Sequence, residues 1–386
     1  MKMKIAQITA YRISYGSPLQ AYATQKAFLK EGISLELFRY EPAGKTNLKR
    51  RMKKILRFPS VIINKLNELL FDLIKPAYRN GKKNRDKLFE DFLEKNANVS
   101  KIIKTETERD KEIRKYGAVL SGSDQTWNPI NYGERYFTCE FVPETITLIS
   151  YASSFGTSTI PKWQYRGTMN YINRFTSISL REKSGHDIVK SMSGKEYPVV
   201  LDPTLLLDRT EWEKICVKKT IKYNYIFSYL ISSNKKFREL VSKFAKNINH
   251  KIIAVPHVLK YVVSDEKYCD ESRFGASPDE WISFIRDAKF VFTDSYHAVI
   301  FSIIFKKRFI VMKRFRDDDV ASANTRIYEI LSKLGLEDRI WIGGNLKEIA
   351  ERDIDYDAVY KKLRVHKDVS YEYIKSLYIK LKCTNI

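Results

Sequence analysis

The chain predicts an α/β fold of two parallel sheets with helices on both faces, and three observations carry that prediction. Short β-branched or apolar runs alternate with amphipathic stretches along most of the sequence, the pattern of repeated βα units. The alternation passes through two successive series, with a seam near Asp208 to Lys222, where DRTEWEKICVKKTIK is charged and follows a completed strand. At 386 residues, 44% hydrophobic and 13% aromatic, the chain is too long for one simple core and rich enough in apolar residues to fill two. The expected division is residues 1–212 and 221–386.

In the first series KIAQITA reads as a strand. LQAYATQKAFLKEG reads as a helix closed by Gly32, glycine being favoured just past a helix C-terminus. SLELFRY follows as a strand, then a helix around DKLFEDFLEKN, strands YGAVLSG and TLISYASS, and a helix around WQYRGTMNYINRF. Strand SISLRE, helix SGHDIVKSMSG and strand YPVVLDPTLLL complete the series. The second series begins with strand YNYIFSYL, helix NKKFRELVSKFAKNI, strand KIIAVPH and helix SPDEWISFIRDA. Strand KFVFTD, helix YHAVIFSIIF and strand RFIVM come next, and VSYEYIKSLYIKLK reads as a last helix packing back on the first domain.

Composition removes several classes of function. The apolar runs are shorter than a spanning helix needs, and MKMKIAQITAYRISYG lacks the apolar core of a signal peptide, so it reads as a first strand. Cys139, Cys216, Cys269 and Cys383 are scattered, without a CxxC pair or a histidine at zinc spacing, which suits reduced thiols in a cytoplasmic protein. Neither common Gly-rich phosphate loop is present, which argues against a dinucleotide or P-loop nucleotide site. The net charge of +23 favours anionic partners. Fourteen Lys or Arg against three acids between Lys45 and Lys87 give that segment +11. Its alternation of basic and apolar residues fits a helix lying peripherally on an anionic membrane surface, or equally an ordinary insertion with a solvated basic face. Nucleic acid binding would rest on charge alone, since no zinc-finger, helix-turn-helix or RNP pattern accompanies it.

Ligands of open α/β sheets bind beyond the carboxyl ends of the strands, and polar clusters stand at those ends here. Ser123, Asp124 and Gln125 follow YGAVL; Ser153 and Ser154 follow TLISYA; Arg181 and Lys183 follow SISL; Asp202-Pro203-Thr204 interrupts an apolar run; Asp294 and Ser295 follow KFVF. Any one of them could be a helix cap. Five together suggest a cleft between two sheets. His297, one of five histidines, falls in the first turn of a helix capped by Asp294 or Ser295, where the helix dipole favours bound anions. That suits general acid work on an anionic substrate; a core histidine satisfied by a carbonyl is the other reading. Arg181, at the end of an apolar strand, would point an always-charged fork into the cleft to bind carboxylate or phosphate, or else would pair with Glu182 or a neighbouring acid. Asp317-Asp318-Asp319 forms an Asp-x-Asp pattern used by some metal-dependent sugar transferases, although a solvated turn fits it better, and His257 stands at a strand end where it could line the cleft.

The ordered set YGAVLSGSDQTWNP, YASSFG, SISLREKSG, VVLDPTLLL and SPDEWISFIRDAKFVFTDSYHAVIFSIIF resembles the polysaccharide pyruvyl transferase family, as does YGSPLQAYATQKAFLKEG near the start. The resemblance implies two Rossmann-like domains facing a cleft, a GT-B-like arrangement. It implies transfer of a pyruvyl unit from phosphoenolpyruvate to two hydroxyls of a sugar in a surface polysaccharide or its lipid-linked precursor, giving a pyruvate ketal. No metal or organic cofactor is implied, and the expected place is the inner face of the cytoplasmic membrane. On matching positions His297 looks like the catalytic histidine and Arg181 like the donor-binding arginine, with Ser295 and Lys183 near the donor. Asp294 and the polar loops of Ser123, Asp124, Gln125, Ser153 and Ser154 complete the expected substrate-binding set. Two positions depart from the pattern: Ser295 stands where relatives often have arginine, and Ser14-Tyr15-Gly16-Ser17 replaces Asn-x-Gly-Asn. Transfer of a sugar from a nucleotide-activated donor on the same fold is the alternative activity, and a non-catalytic polyanion binder a further one.

Overall fold

A computed structural model describes residues 3–42, 76–133, 135–256, 261–314 and 324–383. Most of the basic segment (residues 45–75), His257 and Asp317 to Asp319 lie outside the described residues. In chain order the first half contains β1 (Ile5–Ile8), α1 (Gly16–Lys30), β2 (Leu35–Leu37), α2 (Pro76–Asn96), α3 (Glu106–Glu112), β3 (Ala118–Ser121), β4 (Thr147–Ser150), α4 (Tyr165–Ile172), α5 (Lys183–Ser193) and α6 (Arg209–Glu213). The second half contains β5 (Tyr225–Tyr229), α7 (Lys235–Asn247), β6 (Lys251–Ala254), β7 (Glu271–Ser272), α8 (Pro278–Asp287), β8 (Phe290–Thr293), α9 (Tyr296–Ile304), β9 (Arg308–Met312), α10 (Asn324–Leu334), β10 (Ile340–Trp341), α11 (Leu346–Glu351) and α12 (Tyr356–Cys383).

Two sheets result, one in the order β2-β1-β3-β4 and one in the order β10-β9-β8-β5-β6-β7, with every pairing parallel. Central strands such as β1 and β8 are buried at every position, as strands covered by helices on both faces must be, which is why they read as largely apolar runs, with Gln7 of β1 satisfied by the Ala21 carbonyl. The halves share a core. Leu19 and Phe28 of α1 belong to the same buried cluster as Trp212, Trp281 and Phe301. Tyr15 stacks on Trp281 at 5.5 Å, and Trp212 meets Phe301 edge-on at 4.8 Å.

Two expected strands are corrected. SISLRE and YPVVLDPTLLL form isolated bridges (Ile149 with Ser177, Ser153 with Leu180, Leu180 with Val199) instead of regular strands. Pro198 has no N–H to give to a ladder, and at Pro203 the chain turns into a short 3₁₀ helix whose Thr204 N–H is capped by Asp202. The short edge strands β7 and β10 and the helices α3, α6, α10 and α11 carried no expectation.

The last helix, α12, reaches both halves. Tyr360 donates to the carbonyls of Ile303 and Ile304 in α9. Farther along, Ser370 accepts from Leu201 N–H, Tyr371 donates to Leu206, Tyr373 to Ser150 and Lys380 to Ser177. Among the described residues no helix is long and apolar enough to cross a membrane.

Candidate active site

The carboxyl ends of β1 and β3 in the first half and of β5 and β8 in the second face a cleft of about 760 Å³. Its position is fixed by the β8–α9 turn. Thr293 Oγ1 donates to the Tyr229 carbonyl at 2.6 Å and accepts from Ser295 N–H at 3.0 Å. The Asp294 carboxylate accepts from the N–H groups of Ile231 and Ser232 at 2.6 and 2.8 Å, which pins the loop after β5 to the cleft wall. Ser295 occupies the N-cap position of α9, but its side chain makes no capping bond and lines the cleft instead.

His297 follows in the first turn of α9 and lines the cleft while remaining 5% exposed. The N-terminus of α1 presses on its ring, and only a glycine fits there: a Cβ on Gly16 would lie 2.0 Å from Nδ1. The other ring nitrogen, Nε2, stands 3.7 Å from Asp202 Oδ2, an ion-pair distance longer than a hydrogen bond. His297 comes from the second half and Asp202 from the first, so this pair crosses the boundary between the sheets.

Asp202 is the hub of a buried polar network beneath the cleft. It accepts from Arg181 Nη1 at 2.9 Å, Thr204 Oγ1 at 2.6 Å and Ser123 Oγ at 3.2 Å. Burial alone would raise its carboxyl pKa; the His297 ring, Arg181 and Thr204 outweigh that and hold it well below the usual carboxylate range. Arg181 Nε donates to Glu182 at 2.6 Å, and Glu182 in turn accepts from Ser154 Oγ at 2.9 Å. Ser153 adjoins the same layer through its carbonyl, which accepts from Arg181 N–H at 3.3 Å, while its Oγ accepts from Ser150 Oγ at 3.0 Å.

This arrangement sorts the expected site residues. His297, Ser295, Asp294, Asp124 and Gln125 line the cleft together. Asp124 holds a left-handed φ of 71°, with its carboxylate accepting from Ser17 Oγ at 3.1 Å and from Gln125 N–H at 2.9 Å. Such strain in a non-glycine residue persists where surrounding bonds over-determine it, commonly at functional sites. Ser123, Ser153 and Ser154 are wholly buried and serve the network under the cleft rather than its surface. The expectation that Arg181 points its fork into the cleft is corrected: it is 3% exposed, bonded to two carboxylates, and lies behind the Tyr296 ring at 4.6 Å. Lys183 is corrected too, its side chain being 71% exposed and paired with Asp187 outside the cleft.

Two residues were missing from the expected set. Asp202 stood in a polar cluster at the end of an apolar run, and that was its signal. Arg326, near the start of α10, lines the cleft and approaches Tyr296 at 5.5 Å, yet nothing local in NTRIYEIL marks it. In the amide orientation that lets Gln125 accept, its oxygen takes bonds from Arg326 Nη2 and Nη1 at 2.6 and 3.0 Å. One turn on, Glu329 accepts from the N–H groups of Lys183 and Ser184 at 2.5 and 3.0 Å, so a carboxylate of the second half caps helix α5 of the first.

A family model described as polysaccharide pyruvyl transferase matches residues 15–314. Among curated proteins none matches significantly. Of the solved structures, a Listeria monocytogenes protein assigned as a UDP-N-acetylglucosamine 2-epimerase is similar at 11% identity and a TM-score of 0.50, over 97% of this chain and 91% of that one. UDP-GlcNAc 2-epimerase from Neisseria meningitidis is similar at 9% identity and a TM-score of 0.49, over 99% of this chain and 100% of that one. At such identities likeness bears on the fold alone, and the first of these agrees with a GT-B-like pair of domains.

Proposed function

The chain belongs to the polysaccharide pyruvyl transferase family, and from that premise we propose that it moves a pyruvyl unit from phosphoenolpyruvate to two hydroxyls of one sugar, in a surface polysaccharide or its lipid-linked precursor. The observation that carries this reading is the His297–Asp202 pair set across the two halves, His297 lining the cleft and Asp202 beneath it. A proton from the His297 imidazolium goes to C3 of the donor, leaving C2 electrophilic. One acceptor hydroxyl adds to C2 and the carbon–phosphate oxygen bond breaks, the phosphate taking the electron pair. The second hydroxyl then adds to C2 and closes the ketal. Of the two hydroxyl protons released, one restores the imidazolium and the other leaves with the phosphate. Asp202, held ionised in its network, stands 3.7 Å from Nε2 and balances the charge of the imidazolium. The acceptor lies against Asp124, Gln125 and Asn128 on the opposite wall.

Incubation with phosphoenolpyruvate and glycan acceptor, followed by mass spectrometry, tests the reading. A ketal-bearing product with one phosphate released per ketal is the expected result. Protection of the protein against thermal unfolding by nucleotide sugars and not by phosphoenolpyruvate would instead favour sugar transfer. A lipid-linked acceptor would be met at a membrane surface, to which the basic segment between Lys45 and Lys87 would draw the enzyme. Replacing Lys49, Arg50, Arg51, Lys53 and Lys54 with Gln should weaken binding to anionic vesicles; unchanged binding would remove that role.

A further inference from the structure

We propose that Arg326, rather than Arg181, is the guanidinium that grips the anionic end of the donor, with Arg181 acting behind it as a positioning residue. The inference rests on the reading that the cleft takes a small anionic donor, and sharpens it.

Arg181 is already spent. Two of its nitrogens are bonded to Glu182 and Asp202, and Nη2 is buried without a partner. The space next to Arg181 is a pocket of only about 10 Å³, shared with Tyr296, Arg326 and Lys333. That holds at most one water and no donor molecule. Its remaining task is to neutralise Asp202 and Glu182 and keep Asp202 beside His297.

Arg326 has the opposite surroundings. It borders both this small pocket and the cleft, so its fork is reachable by a ligand standing next to His297. Its contacts are the Tyr296 ring and the neutral Gln125 amide, and no described carboxylate lies within ion-pair distance of it. A half-buried cation bonded to no carboxylate is costly, and here the cost is raised by a second arginine: burial and Arg181 push the Arg326 pKa down to about 10, against the more distant charges of Glu182 and Asp124. An anion entering the cleft would relieve that cost and gain a planar fork suited to carboxylate or phosphate. The fork is also set in place beforehand. Glu329, one turn along α10, ties the helix to the backbone of Lys183 and Ser184 in the first half.

The test measures thermal unfolding with phosphoenolpyruvate, inorganic phosphate or pyruvate for the wild type, Arg326→Gln and Arg326→Lys. Phosphoenolpyruvate should stabilise the wild type, Arg326→Gln should weaken its apparent affinity at least tenfold, and Arg326→Lys should fall between them. Whichever of phosphate and pyruvate loses its effect on substitution identifies the end of the donor that Arg326 holds. Without ligand, Arg326→Gln should be as stable as the wild type or more so, because it removes a half-buried positive charge next to Arg181. A purely structural arginine would show a loss there. Equal ligand stabilisation of wild type and Arg326→Gln overturns the proposal, as does a wild type that responds to none of the three probes. A wild type that responds to phosphate and not to phosphoenolpyruvate, with the response lost in Arg326→Gln, would keep the anion grip and remove the proposed donor.

Discussion

The two walls of the cleft are built from the same kind of strand ends but differ in charge. The N-terminal wall sets Ile13, Thr126, Asn128 and Phe137 around the Asp124 carboxylate, while the C-terminal wall brings Arg314, Arg326 and His297 to the same space. Asp294, also on that wall, is occupied by the backbone of Ile231 and Ser232. A cleft with one cationic face and one face of amides, hydroxyls and apolar surface can sort its substrates electrostatically before any chemistry occurs. On the proposed reaction the anionic donor belongs to the second wall and the polyhydroxyl acceptor to the first. The buried layer under both walls, from Ser154 through Glu182 and Arg181 to Asp202, touches neither substrate and sets the position of the acid.

Substitutions on each side test that separation. His297→Ala should have the largest effect, lowering turnover by about 10²–10⁴-fold while phosphoenolpyruvate still protects against unfolding. A variant with near-normal turnover would remove the acid from the C-terminal wall. Asp202→Asn, in the layer below, should cost stability as well, about 3–5 kcal/mol at neutral pH if the network breaks as buried ion pairs do. Because its folded carboxyl titrates below the unfolded value near 3.9, that stabilisation is complete above about pH 4 and is lost as pH falls through the folded range. Unfolding curves of wild type and variant should therefore converge in acid, and a gap independent of pH would exclude the ionised Asp202 as its source.

Gly16→Ala puts a methyl group where the imidazole now lies, 2.0 Å from Nδ1. Displacing the ring by an ångström or so should cost about 10²-fold in turnover with donor binding retained, which steady-state kinetics would show. Asp124→Asn probes the other wall and should raise the acceptor KM by about tenfold with the donor response unchanged. A shift in donor affinity instead would merge the two walls into one site. The smallest effect belongs to Lys183→Ala, whose exposed pair with Asp187 is worth about 0.3–0.5 kcal/mol and lies outside the cleft. Kinetics indistinguishable from wild type are expected, and a lost donor response would return Lys183 to the site.

The contrast between these residues also shows how far the sequence could be read. Strands buried on both faces are legible because nearly every residue in them is apolar or β-branched, as in FVFT of β8, so β8 and the turn delivering His297 could be placed to within a residue or two. Residues at the ends of such strands could be gathered into a cleft, and five of them do line it. What could not be read was the direction in which a side chain leaves its strand. Arg181 looks the same in sequence whether it faces a ligand or Asp202, 21 positions away. Arg326 was hidden for a related reason. Its value comes from Tyr296 and Gln125, far away in the chain, and from a helix whose docking depends on Glu329 meeting a backbone 145 positions earlier. Local periodicity carries no information about such pairs.

Helix α12 has a mechanical consequence. A rod of 28 residues, about 42 Å long, is riveted near its start to α9 by Tyr360 and along its later turns to the opposite half by Ser370, Tyr371 and Tyr373. Parting the two halves must therefore bow this rod or tear out one row of rivets. A cleft that opened by parting the halves would work against a leaf spring, whose recoil would bring the imidazole back to its carboxylate.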